Sequence, residues 1–334
     1  MPFDLAFIWA GIIAFAVLTY IILDGFDLGI GILFPFGKSE RERDVMMNSV
    51  APVWDGNETW LVLGGGGLFA VFPLAYSVVL SALYIPIIVM LLALVFRGVA
   101  FEYRWRTERW KPVWDIAFFG GSTLAAFTQG IALGALVQGI EVADRAYAGG
   151  WWDWLTPFSL ITGVAVVIGY ALLGATWLVM KMSGELQERM RANARRLGAV
   201  TLAFILLVSL LTPFQDPVYF QRWFTWPSMG FSLLVPALLA LGAWQLFTGL
   251  SSDREIAPFL AAQSLFVVSF IGIGISFYPQ MVPPSLSIWD VAAPDESLAF
   301  TLVGTVVLVP LILAYTAYAY WVFRGKTDPD KGYH

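Results

Sequence analysis

The chain has 334 residues, of which 59% are hydrophobic and 13% charged, with a net charge of −5. A soluble domain averages about 25% charged residues, so half that share excludes an ordinary water-soluble globule. Cysteine is absent, which excludes disulfides, iron–sulfur clusters and thiolate metal ligands.

Apolar runs of about 20 residues, enough to cross about 30 Å of hydrocarbon, recur along the whole chain. Backbone groups find no partners in lipid, so helices are the default element, and the signal is too continuous for a β-barrel. In chain order the pattern predicts nine spans: 5–35, 50–72, 76–98, 115–140, 155–180, 197–214, 228–249, 258–279 and 297–323. The expected fold is an all-α integral membrane protein, one transmembrane domain over residues 1–334. The first apolar run lacks a basic start and is too long for a removable signal, so it is expected to remain as a span. Residues 326–334 read as a short polar cytoplasmic tail.

Orientation follows from the basic residues. Seventeen of the nineteen Lys and Arg fall in the odd-numbered connections and the C-terminal tail, leaving only Arg145 and Arg222 on the other side. The positive-inside rule puts the N-terminus outside and the C-terminus in the cytoplasm. Tryptophans near the span ends, among them Trp9, Trp110, Trp114, Trp151, Trp152, Trp154, Trp223, Trp226 and Trp321, are expected to form interfacial belts.

The donor set limits the cofactor chemistry. The only histidine is His334, the last residue. Haem in a helix bundle normally takes a buried His or Met, and methionines such as Met90 and Met180 more often fill apolar gaps. No haem ligands, no metal site and no nucleic-acid contact are expected in this chain. Redox chemistry is expected to sit in a partner.

What remains is a set of ionisable residues inside the spans. An acid at mid-helix costs about 2.5–3.5 kcal/mol on insertion scales, so each needs a reason. Asp24 and Asp27 lie three apart, on one face of the first span. Asp55 and Glu58 have the same spacing in the second span, within Trp54-Asp55-Gly56-Asn57-Glu58-Thr59-Trp60. At about 1.5 Å per residue, all four fall in the cytoplasmic half, level with Arg97 at the inner end of the third span. Two readings stand side by side. In one, the acids cap local helix breaks at Asp24-Gly25 and Asp55-Gly56 and pair with Arg97, Asn57 or Thr59. In the other, desolvation and mutual repulsion leave a proton on the cluster, which relays it from the cytoplasm. Gly64 to Gly67, and the Gly25/Gly29 pair, read as places of close helix packing. The charged stretch Glu185 to Arg196 reads as a solvated helical extension.

Asp24-Gly25-Phe26-Asp27-Leu28-Gly29-Ile30-Gly31 and Asn48-Ser49-Val50-Ala51-Pro52-Val53-Trp54-Asp55-Gly56-Asn57-Glu58-Thr59-Trp60-Leu61 resemble subunit II of the cytochrome bd-type quinol oxidases. Phe96-Arg97-Gly98-Val99-Ala100-Phe101-Glu102-Tyr103-Arg104, and the stretch from Tyr278-Pro279 to Trp289-Asp290, look like that family too. The short loops and the sequence around Trp60 are similar to its cyanide-insensitive branch. The resemblance implies nine helices arranged as two four-helix bundles plus one extra helix. It implies a bacterial inner-membrane ubiquinol oxidase of the respiratory chain, with this chain haem-free and not catalytic alone. The haems (two b-type, with one d-type or a third b-type) and the quinol-oxidising loop belong to subunit I. Quinol and oxygen are substrates of the complex, and small single-helix subunits and lipids are further candidate partners. By the same resemblance Asp55 lies on a cytoplasmic proton path; the depth and spacing of the other groups make Asp24, Asp27 and Glu58 its expected supporting groups and Arg97 their counter-charge. Trp54, Gly56 and Asn57 support that motif, and Trp60 is the candidate lining of an oxygen tunnel. Some members hold a quinone in this subunit as a structural lipid, although no motif here marks one. The rival reading is a secondary transporter, in which buried carboxylates coordinate ions at broken helices; a pure assembly scaffold is a third.

Overall fold

A computed structural model describes residues 4–328 of the chain. The tail expected at 326–334 is therefore seen only as far as residue 328, and His334 lies outside the described residues. In chain order the helices are α1 (Leu5–Leu33), α2 (Glu40–Asn48), α3 (Trp54–Val71), α4 (Pro73–Ala82), α5 (Tyr84–Tyr103), α6 (Lys111–Gln138) and α7 (Pro157–Lys181). They continue as α8 (Gly184–Leu211), α9 (Pro217–Phe224), α10 (Ser228–Ser232), α11 (Leu234–Leu250), α12 (Ile256–Phe277), α13 (Ile288–Val291) and α14 (Asp295–Val322). Two small antiparallel hairpins, β1 (Val142–Ala143) with β2 (Ala146–Tyr147) and β3 (Gln280–Val282) with β4 (Leu286–Ser287), sit in loops.

Among the described residues eight helices are long and apolar enough to span a membrane, and counting the bent pair α3–α4 as one span gives nine. Helices α7, α8, α11 and α12 pack each on the next and close a ring. Helices α1, α3, α5 and α6 form the other group, joined to the ring through α1 and α6 against α7. Helix α14 rests mainly on α1 and α3 and is the extra helix. Close approach of α1 and α7 depends on two glycines. A Cβ on Gly29 would fall 1.9 Å from the Tyr170 carbonyl oxygen, and one on Gly174 would fall 2.4 Å from the Gly29 backbone. Only a residue without a side chain lets these backbones meet.

Several boundaries depart from the sequence pattern. The second span starts at Trp54 rather than 50, because Val50–Val53 form a buried turn. The third span is α5, beginning at Tyr84 and not 76. Pro73 restarts the chain as the separate helix α4, bent 120° from α3, as a proline at a first helical turn permits. The fifth connection is hardly a connection at all, since the charged stretch and the sixth span form one continuous helix, α8. Trp9 is no belt residue. It is 2% exposed, and its indole nitrogen donates to the Leu298 carbonyl at 3.0 Å, pinning α1 to the start of α14. Trp151, Trp152, Trp226 and Trp321 are exposed, as an interfacial position requires.

The ends of α2, α5, α6 and α8 are tied by ion pairs. Fully buried Arg104 bridges Asp44 (2.6 Å) and Asp115 (2.5 Å), and Arg189 meets Glu42 at 2.5 Å. Lys111 pairs with Glu40. At the same end Lys326 bonds Glu255 and the Met182 carbonyl, holding the end of α14 against α7 and α12.

Candidate functional site

The acids of the first span sit on an unbroken helix. Helix α1 runs straight through Asp24-Gly25, so the expected local unwinding is absent there. Gly25 serves packing instead, since a Cβ would meet the Tyr170 ring at 2.9 Å. Asp55-Gly56 likewise falls within the first turn of α3 and not at a break.

Asp24, Asp27 and Arg97 are completely buried. Arg97 Nη1 lies 2.5 Å from Glu58 Oε1 and 3.0 Å from Asp24 Oδ1, and Nη2 lies 3.9 Å from Asp27 Oδ2. The Glu58 contact is an aligned hydrogen bond. The Asp24 contact is an ion pair off the N–H direction, which leaves both Asp24 oxygens without a hydrogen bond. A guanidinium presents five donors in a planar fork, so one arginine can serve three acids. Asn57 completes the site from α3: its Nδ2 donates to Asp27 Oδ2 at 2.7 Å, and its Oδ1 accepts from the Tyr320 hydroxyl of α14 at 2.9 Å.

Asp55 stands apart. Its side chain is exposed in this chain, and it forms no ion pair among the described residues. Its place in the first turn of α3 suits an acid, because the helix N-terminus carries partial positive charge. Four of the five expected groups therefore converge, and the fifth faces out beside them. Trp54 stacks on Phe101 at 4.7 Å, which fixes the first turn of α3 against α5. Trp60 is fully buried, edge-on to Phe15 at 5.7 Å, and its indole nitrogen has no partner.

Residue spacing gave no sign of the polar groups beyond this cluster. Tyr170 donates to Gln129 Oε1 at 2.9 Å, and Gln129 Nε2 donates to the Tyr20 hydroxyl at 2.8 Å. Tyr20 lies one helical turn before Asp24 and the Tyr170 ring packs against Gly25, so the string stays beside the acids. These partners are separated by 41 and 109 residues, and only the hydrophilicity of Gln129 inside an apolar run hinted at them.

Helices α3, α5 and α14 each carry large exposed apolar side chains, as lipid- or partner-facing helices do. Val62, Phe69, Leu92, Val95 and Phe96 are half exposed or more, as are Phe300, Val303 and Tyr315. Among the described residues no cluster of His, Cys, Asp and Glu forms a metal centre. No imidazole or thiolate is present in them either, which leaves the methionine thioether as an axial-type donor.

The fold and this cluster define a class: polytopic helical membrane subunits that gather carboxylates around one buried arginine. The chain belongs to the family described as cytochrome bd terminal oxidase subunit II, whose sequence profile matches residues 5–323. It is 32% identical to the cytochrome bd-I ubiquinol oxidase subunit 2 of Escherichia coli (strain K12), over 99% of this chain and 98% of that protein. It is 29% identical to the cytochrome bd ubiquinol oxidase subunit 2 of Bacillus subtilis (strain 168), over 96% of each. In fold it matches a chain of the bd oxidase from Geobacillus thermodenitrificans with a TM-score of 0.81, at 18% identity, covering 96% of this chain and 98% of that one.

Proposed function

We propose that this chain is the haem-free subunit of an inner-membrane quinol:oxygen oxidoreductase, where it scaffolds a haem-bearing subunit I and conducts protons to it. Reducing one O2 to two waters consumes four protons, and the partner needs a supply from the cytoplasm. One observation carries the reading: fully buried Asp24 and Asp27 and half-buried Glu58 share one arginine, with the exposed Asp55 beside them on α3. One guanidinium cannot balance three carboxylates in an apolar interior, so the cluster retains exchangeable protons. Glu58 is partly exposed and takes protons in; Asp24 and Asp27 share them under the field of Arg97. Asp55, facing subunit I, is the carrier that hands them over. Trp60 of α3, packed against α1 and α14, lines an apolar route for oxygen.

The basic residues support the orientation, with the N-terminus outside. Lys111, Arg104, Arg189 and Lys326 gather at one end of the bundle in mutual ion-pair clamps. The secondary-transporter reading loses support because its hallmark, acids at broken helices, is missing at Asp24 and Asp27 on continuous α1.

The test is Asp55→Asn in the purified complex. Slowed oxygen consumption with full haem content is expected. Unchanged consumption removes Asp55 from the path, and loss of the haem spectrum assigns it a structural role instead.

A further inference from the structure

A cleft of about 700 Å³ opens between α1 and α12, at the end of the bundle where α1 begins. Its volume is within the range of about 300–1,000 Å³ typical of small-ligand sites. Phe15 and Leu18 of α1 face Phe270 and Ile271 of α12 across it. Phe15 and Ile271 are 43% and 48% exposed, so the cleft opens sideways to lipid.

The one charged residue on its wall is Arg222 of α9. Arg222 Nη1 donates to the carbonyls of Ile275 (3.1 Å) and Ser276 (2.8 Å), capping the last turn of α12. That accounts for one of its three nitrogens. Nε and Nη2 make no hydrogen bond, and no carboxylate pairs with them, among the described residues. Helix α9 exposes Val218, Phe220 and Phe224, with Trp226 just beyond. Such a short helix with an apolar outer face lies in the membrane interface, which puts the Arg222 guanidinium at headgroup depth.

We propose that this cleft binds one phospholipid of net negative charge, an acyl chain between α1 and α12 and its phosphate on Nε and Nη2 of Arg222. Charge complementarity selects this occupant. A neutral isoprenoid would fill the walls yet leave the guanidinium unneutralised, whereas a free phosphate would leave the apolar walls empty. Arginine binds phosphate through paired N–H groups, and two are available. The proposal rests on the membrane-spanning reading above and adds a ligand independent of the proton path.

The test is native mass spectrometry of the intact complex, delipidated and back-titrated with phosphatidylglycerol or phosphatidylcholine. The wild type is expected to retain one tightly bound phosphatidylglycerol and to hold phosphatidylcholine more weakly. Arg222→Gln, which removes the charge, is expected to weaken retention about tenfold or more, and Arg222→Lys less. Gly274 lines the cleft, and a Cβ added there would meet nothing within 4 Å. Gly274→Leu therefore fills the cleft without disturbing the helix and is expected to abolish retention. Arg145→Gln, at the other basic residue of that side, is expected to change nothing. Equal retention in Arg222→Gln and Gly274→Leu overturns the proposal, as does equal affinity for the two lipids or recovery of a neutral isoprenoid instead. Oxygen consumption measured on the same samples keeps the two readings apart, since a lipid-loaded but inactive complex bears only on the proton path.

Discussion

Arg97 of α5 reaches Glu58 of α3 at 2.5 Å, and the same nitrogen lies 3.0 Å from Asp24 on α1. One side chain thereby fixes three helices to each other at the depth where the acids are buried.

Removing that cation strands acids in an apolar interior. Arg97→Gln is expected to cost about 3–5 kcal/mol, the range for breaking a buried ion pair from one side. Thermal melting of the purified complex checks this. A variant melting with the wild type would mean that the acids are balanced by protons alone.

Glu58→Gln keeps a hydrogen-bond acceptor for Arg97 but cannot carry a proton. Turnover is expected to fall by about one to two orders of magnitude if proton entry passes through it, with haem content and melting little changed. Steady oxygen consumption against pH is the readout, and a profile superimposable on the wild type would move the entry elsewhere.

Two glycine substitutions separate folding from assembly. Gly29→Ala forces a Cβ into the Tyr170 carbonyl and is expected to cost about 1–3 kcal/mol by overpacking. A Cβ on Gly66, on the exposed flank of α3, would meet nothing within 4 Å, so Gly66→Leu projects outward from this chain. If subunit I covers that flank, this variant is expected to fold yet lose co-purifying partner. Full recovery of the partner would place the interface on another face.

Arg189 donates a hydrogen bond to Glu42 and holds its carboxyl below the ordinary value of 4.5. A depressed carboxyl contributes stability above its unfolded value and loses it as pH falls through the folded one. Tethering of α2 to α8 is therefore expected to weaken on acidification below about 4.5, by less than about 1 kcal/mol for so accessible a pair. Proteolysis or hydrogen exchange at α2 measures it, and Glu42→Gln is expected to remove the pH dependence.

Because the chain has no cysteine, single cysteines report its orientation. Asp144→Cys, in the hairpin after α6, is expected to react with an impermeant maleimide in whole cells. Asp253→Cys, between α11 and α12, is expected to react only after permeabilisation. The reverse pattern inverts the orientation.

Much of the site was legible in the sequence because helical rise and spacing are simple. Asp24, Asp27, Glu58 and Arg97 could be set at one depth by counting residues. The outward direction of Asp55 was not legible, since the rotation of α3 is set by where Gly64 and Gly67 meet Val17 and Ile13 of α1. The link from Asn57 to Tyr320 spans 263 residues, beyond any local pattern. Trp9 looked interfacial by position and proved to be core, because its indole finds a carbonyl on α14 rather than the headgroup region. The break at Pro73 was present as a residue, but hydropathy alone runs across it.

The ring of α7, α8, α11 and α12 closes on itself, whereas the α1 group ends on α14, which packs mainly on two neighbours. A copy of this chain made without its companion would therefore keep Asp55 exposed in the bilayer. Such an orphan presents its own defect to the cell's quality-control proteases, which makes balanced synthesis of the two subunits a structural requirement.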